Sequence, residues 1–166
     1  MDRRPTGSAP AERRLRLRPG GPDDEAAVLR LATRLSDFPV PSWRTAEEIS
    51  RGDDQVLREQ LWAPRTDGLL LIAEYDPQAP VGMILVTTRI DYFRQDQIAH
   101  VEVLVVDSAH ERQGIAGMLM AAAEEWARAR GVERMGLTVW EANQRARRFY
   151  DRNGYRAETI HYLKEL

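Results

Sequence analysis

A chain of 166 residues with 43% hydrophobic content is long enough to bury a core and short enough to need only one domain. Its net charge of -2, on 30% charged residues, argues against a general nucleic-acid binder, which carries a basic excess. The lack of cysteine excludes disulfides, thiol nucleophiles and cysteine metal sites, and fits a reducing, cytoplasmic setting.

Residues 1–13, rich in Arg, Pro, Gly and Ser, read as a disordered tail and not as a secretion signal, since no apolar core follows. No apolar run approaches the ~20 residues of a membrane span. Residues 14–166 read as a single domain. "LRLR" (15–18) alternates like a short strand. Pro22, Asp23 and Asp24 then carry helix-start chemistry, and Val28, Leu31, Ala32 and Leu35 follow helical spacing. "SDFPVPSWRT" breaks the chain. Residues 45–62 read as a second helix, weakened or interrupted near Gly52, with a thin apolar set of Ile49, Val56 and Leu57.

Residues 68–75 and 81–90 read as two strands around the turn "DPQAP", and residues 98–106 as a third long strand. Ile115, Met118, Leu119, Ala122 and Trp126 recur at helical intervals until Gly131. "RMGLTVW" reads as a strand, "NQRARRFYDRN" as a short helix capped by Asn143, and "YRAETIHYL" as a closing strand. The expected class is α/β: a mixed, mostly antiparallel central sheet with helices on both faces, in the order βααβββαβαβ.

The chemistry concentrates in "VEVLVVDSAHERQGIAGMLM" (101–120). Strict alternation places Val101, Val103 and Val105 on one apolar face, and His100, Glu102, Leu104 and Val106 on the other; a single bulge would flip the assignment beyond its position. The turn after the strand opens a helix, whose first amides lack internal partners and favour anions. Gly114, Ala116 and Gly117 leave room for a phosphate, while Arg112 and Gln113 add donors. A loop that merely ends in glycines is the competing explanation. Neither GxxxxGK[ST] nor GxGxxG occurs, which disfavours P-loop and dinucleotide folds.

This stretch, together with "NQRARRFYDRNGY" (143–155), resembles the two motifs of the GNAT superfamily of N-acetyltransferases, which use acetyl-CoA. The resemblance spans residues 98–155. It implies that Leu104, Val105 and Val106 pair through their backbone with the pantetheine arm. It implies further that the amides of Arg112, Gln113, Gly114, Ile115, Ala116 and Gly117 hold the pyrophosphate, that Asn143 lies beside the arm, and that Tyr150 sits near the sulfur. One departure stands out. The family carries Gln or Arg three residues before the glycine of Gly114, and this chain carries Glu111. A carboxylate repels a pyrophosphate, so Glu111 is expected to point to solvent while Arg112 supplies the charge.

Acetyl transfer to an amine requires a deprotonated amine, whose pKa resembles the ~10.4 of lysine, and a protonated leaving thiol. Tyr150 suits the acid, although Ala146, Phe149 and Tyr150 also form an ordinary packing stripe. Glu102 suits the base, directly or through water, because a carboxylate inside an apolar strand calls for a partner or a raised pKa; a salt bridge to an arginine is the plain alternative. His100 is the other candidate. The scattered histidines lack metal-ligand spacing, so no metal is expected.

Phe38, Trp43, Tyr92 and Phe93 are candidates to line an acceptor site, with Asp37, Glu47 or Asp91 drawing a cationic amine. The acceptor expected is a small-molecule amine or a peptide N-terminus, with no nucleic acid and no membrane, and the resemblance allows a homodimer. A non-catalytic acyl-CoA-binding regulatory module is the alternative. A toxin acetylating aminoacyl-tRNA is disfavoured by the balanced charge.

Overall fold

The computed structural model describes residues 14–75 and 79–166. The tail expected over residues 1–13 lies outside them, as do residues 76–78 of the expected turn. The elements run β1 (Leu15–Pro19), α1 (Glu25–Ala32), α2 (Ala46–Trp62), β2 (Gly68–Tyr75), β3 (Pro80–Ile90), β4 (Gln97–Val106), α3 (Ile115–Arg128), β5 (Met135–Leu137) and α4 (Gln144–Arg152). Short 3-10 turns lead into α1 and continue from it through Thr33–Ser36.

Local chemistry sets several boundaries. At α2 a capping box closes on itself: the Glu48 amide donates to the Thr45 hydroxyl at 3.1 Å, and the Thr45 amide donates to the Glu48 carboxylate at 2.9 Å. The helix then runs unbroken through Gly52, contrary to the expected interruption. Leu57, Gln60 and Leu61 are buried, and that packing outweighs the ~1 kcal/mol a mid-helix glycine costs. In α3 the buried stripe is Ile115, Leu119, Met120, Ala123 and Ala127, so the expected stripe is rotated and Met118 is exposed. An apolar run of this density offers two stripes about a residue apart, and only the sheet beneath selects one.

The five strands lie in the order β1-β2-β3-β4-β5, antiparallel except for the β4–β5 pair. Two cores result. α1 and α2 cover one face over Leu70, Ile72, Met83, Leu85, Val103 and Val105. α3 covers the other over Ala73, Ile84, Val86, Ala99 and Val101.

The separation of Val101 from Val103 and Val105 overturns the single-face expectation. Leu85 pairs with Val103 and Val86 with Val101, so Glu102 is the extra residue of a β-bulge. Before the bulge the odd-numbered residues of β4 face α3; after it they face α1 and α2. The mixed sheet with helices on both faces is as expected, but the last strand of the order βααβββαβαβ does not form: residues 156–166 have no regular structure. Alternation can nominate a strand, yet a strand forms only where its backbone groups pair with an edge, and residues 156–166 pair with none among the described residues.

Candidate active site

β4 and β5 pair only between Ala99–Val101 and Met135–Leu137. Beyond Val101 the partner leaves, and the far edge of β4 is open. The Asp107 amide donates to the Val81 carbonyl at 2.7 Å. By the alternation of an antiparallel ladder, Val105 then spends its backbone groups on β3, while Leu104 and Val106 turn theirs to the open side. Of the three residues expected to pair with a ligand there, Leu104 and Val106 turn toward the open edge, where the Val106 carbonyl already accepts from Arg34.

The strand ends in a turn with left-handed backbone at Arg112 (φ 61°) and Gly114 (φ 81°). The six amides of residues 112–117 find no acceptor among the described residues, and the N-cap Gly114 brings no side chain to satisfy them. Left-handed residues alternating with ordinary ones turn successive N–H groups toward one concavity, an anion-binding arrangement. A Cβ added at Gly114 or Gly117 would meet nothing within 4 Å. The described residues therefore leave this space open.

Glu111 does not point to solvent. Its Oε1 accepts hydrogen bonds from Arg34 Nη2 and Arg145 Nη1, each at 2.7 Å. The Arg34 hydrogen bond leads the causes that hold its carboxyl below the usual carboxylate range. Arg34 also donates to the Val106 carbonyl and, at 3.2 Å, to Asp37. Next to this network lies a cleft of about 370 Å³, with Asp37, Phe38 and Pro39 on one wall and residues 142–145 on the other. Phe38 stacks on Trp140 with ring centroids 5.8 Å apart, joining the α1–α2 connection to the segment before α4.

At the bulge, Glu102 accepts from the Thr87 hydroxyl at 2.6 Å and from Arg89 Nη2 at 2.5 Å. Partial burial pushes its carboxyl up, but these two hydrogen bonds and the nearby positive charge prevail, and the net shift is downward. The raised pKa expected of a base is absent, and the salt bridge is present. His100 is lowered, chiefly by burial and then by Arg89, and so is neutral at pH 7. A histidine whose folded pKa lies below 6.5 binds fewer protons folded than unfolded, so its contribution is complete above pH 6.5 and is lost as pH falls through that value. The lowered carboxylates add losses of the same sign only below their unfolded value of 4.5. Asp53, pushed up to about 6 chiefly by burial, works in the opposite sense and adds stability as pH falls through that value. The His100 part is therefore read as a difference: relative to His100→Gln, the wild-type melting temperature should decline below pH 6.5, and parallel profiles would clear His100 of the effect.

On α4, the Ala146 amide donates to the Asn143 side chain at 3.1 Å, the expected cap. Tyr150 packs edge-on against Phe149 and Tyr155, at 5.3 and 5.8 Å. Burial pushes its phenol up to about 12, so it carries its proton throughout the neutral range. Its hydroxyl makes no hydrogen bond among the described residues and is not fully buried, which leaves its proton uncommitted to them.

The candidate acceptor residues are dispersed. Asp91 is committed to Arg134 and to the amides of Phe93 and Arg94, Asp37 to Arg34, and Tyr92 and Phe93 are exposed on the β3–β4 hairpin. Only Phe38 and Asp37 line the cleft. Sequence reasoning missed Thr87 and Arg89 beside Glu102, and Arg34 and Arg145 beside Glu111. No spacing rule links any of these pairs.

A profile of the Acetyltransferase (GNAT) family matches residues 32–155, three quarters of the chain. The chain belongs to the GNAT acetyltransferase family. Among curated protein sequences nothing matches.

Solved GNAT-like structures share the fold. A putative acetyl transferase from Pyrococcus furiosus superposes with a TM-score of 0.74 at 22% identity, over 92% of this chain and 100% of that one. AAC(6')-Iy, in complex with the bisubstrate analogue CoA-S-monomethyl-acetylneamine, gives 0.67 at 17% identity, over 92% and 99%. Glucosamine-6-phosphate N-acetyltransferase from Arabidopsis thaliana gives 0.64 at 17% identity, over 92% and 98%. As a GNAT chain this is an acyl-CoA-dependent transferase by family, and the open β4 edge and the amide run suit an acyl-CoA. No helix among the described residues is long and apolar enough to cross a membrane.

Proposed function

We propose that this protein moves the acetyl group of acetyl-CoA to the primary amine of a small molecule, by direct attack of the amine on the thioester. The observation that carries the reading is the run of amides over residues 112–117 that have no acceptor among the described residues, set at the end of a strand whose outer edge is open. The thioester supplies an acetyl group already activated for transfer. Arg112, Gln113, Gly114, Ile115, Ala116 and Gly117 hold the diphosphate, and Leu104 and Val106 orient the arm. Asn143 fixes the start of α4 beside it. Tyr150 delivers a proton to the leaving sulfur. Glu102, ionised and steadied by Thr87 and Arg89, draws the amine's proton through water, with neutral His100 as the neighbouring acceptor.

A small-molecule amine is favoured over a peptide N-terminus because several of the structural neighbours are named for aminoglycosides or glucosamine-6-phosphate. The reading keeps the cytoplasm as the expected compartment. Its test is a panel of amines with release of free CoA thiol as the readout. Acetyl-CoA binding without release for any amine would establish the alternative, a non-catalytic acyl-CoA-binding module.

The homodimer belongs to the same reading. Residues 156–166 have a strand-like sequence, no partner strand among the described residues, and exposed apolar side chains, with Ile160 79% and Tyr162 86% accessible. In a second copy they would find the strand pairing they do not make with their own chain. Sedimentation equilibrium should show a dimer for the full chain and a monomer for a chain ended after Tyr155. A monomeric full chain would dispose of the idea.

A further inference from the structure

A carboxylate stands directly before six amides suited to an anion, and its surroundings keep it charged. Beside a diphosphate such a group is repulsive unless cations cancel it or draw it away. Two arginines are in place, and they are held unequally. Arg34 is 16% exposed in its side chain and is anchored three ways, to Glu111, to the Val106 carbonyl and to Asp37. Arg145 is 53% exposed, and Glu111 is its one partner among the described residues.

Arg145 lies in the first turn of α4 and on the wall of the cleft. Its guanidinium is paired with the side chain of the residue immediately before Arg112, beside the start of the amide run.

We propose that Glu111 is a placeholder for a phosphate of acetyl-CoA: it parks Arg145 at the mouth of the amide turn and yields it to the diphosphate when the ligand docks, while Arg34 keeps the carboxylate aside. This rests on the acetyl-CoA reading above. The planar guanidinium fork suits either oxyanion, so the exchange replaces one charge-assisted pair with another. Glu111 thereby acts as a positioning residue that competes with the ligand for Arg145, weakens CoA binding and eases its release. Without the carboxylate Arg145 is free for the ligand from the start.

The test is calorimetric titration of CoA into the full chain and its variants, each checked for folding by thermal melting. Glu111→Gln should tighten CoA binding about ten-fold, the worth of roughly one charge-assisted hydrogen bond, and Arg145→Met should weaken it about as much. In the double variant the gain from Glu111→Gln should disappear. Unchanged or weaker binding by Glu111→Gln overturns the inference, as does a gain that persists in full without Arg145, which would mean simple charge repulsion. Should Glu111→Gln fail to fold, Arg145→Met alone decides: CoA affinity equal to wild type overturns the inference, and partial recovery in Arg145→Lys supports it. A wild-type chain that gives no heat with CoA removes the acetyl-CoA reading as well, whereas a binding wild type with unresponsive variants removes only this exchange.

Discussion

Gly117→Asp is expected to abolish acetyl-CoA binding while leaving the melting temperature unchanged or slightly raised. Gly117 has no left-handed backbone, and a Cβ there would touch nothing within 4 Å, so the fold does not call for glycine at this position. Replacing it in a helix recovers some of the ~1 kcal/mol that glycine costs, and a carboxylate in the first turn adds a favourable interaction with the helix dipole. The ligand meets the opposite situation. A side chain would enter the concavity of the amide run, and its charge would repel the diphosphate while competing for the same N–H groups. Losing two or more charge-assisted hydrogen bonds corresponds to at least ~100-fold in affinity. The pair of measurements is calorimetric binding and thermal melting. Wild-type affinity in this variant would remove the amide run from the site, and a lowered melting temperature would show that the glycine serves the fold. Gly114 makes the contrast: at φ 81° any substitution strains the backbone, at a cost of ~1–2 kcal/mol, so binding and stability should fall together there.

Tyr150→Phe should lower kcat by about 100- to 1,000-fold, within the range of a lost general acid, with little change in the KM for acetyl-CoA. Stability should barely move, because the hydroxyl forfeits no hydrogen bond among the described residues and the ring contacts with Phe149 and Tyr155 are retained. A phenol pushed up to about 12 is a poor base and a permanently loaded donor, which suits protonation of a thiolate and not deprotonation of an amine. Single-turnover kinetics with saturating acetyl-CoA read the chemical step directly. Undiminished turnover would return Tyr150 to the packing stripe it shares with Ala146 and Phe149.

Much of this molecule was legible from residues a few positions apart. Thr45 with Glu48 and Asn143 with Ala146 each set a helix start through bonds that close within about one helical turn, and Gly114 does so through its left-handed backbone, so sequence order already places the partners together. The strands β2, β3 and β4 carry their own apolar runs. The succession of a buried strand, a turn with glycines and an amphipathic helix follows from the same local chemistry, and so does the pairing of the two motifs on which the family resemblance rests.

Partners far apart in the chain were another matter. Glu111 is held by Arg34, 77 residues away, and by Arg145, 34 away; among so many arginines no spacing singles these out. Glu102 resembled an unpaired carboxylate in an apolar strand until β3 brought Thr87 and Arg89 against it. The bulge that carries Glu102 is a property of the β3–β4 register and reverses which valines face which core.

What the amino-acid order determined by itself is the type and sequence of elements and the run of free amides, because helix caps and left-handed turns are settled by neighbours along the chain. Only the folded sheet decided which stripe of α3 is buried, which arginines hold the two carboxylates, and that the last residues find no strand to join. Burial and ion pairing are properties of surfaces that meet, and here the meeting surfaces come from segments tens of residues apart.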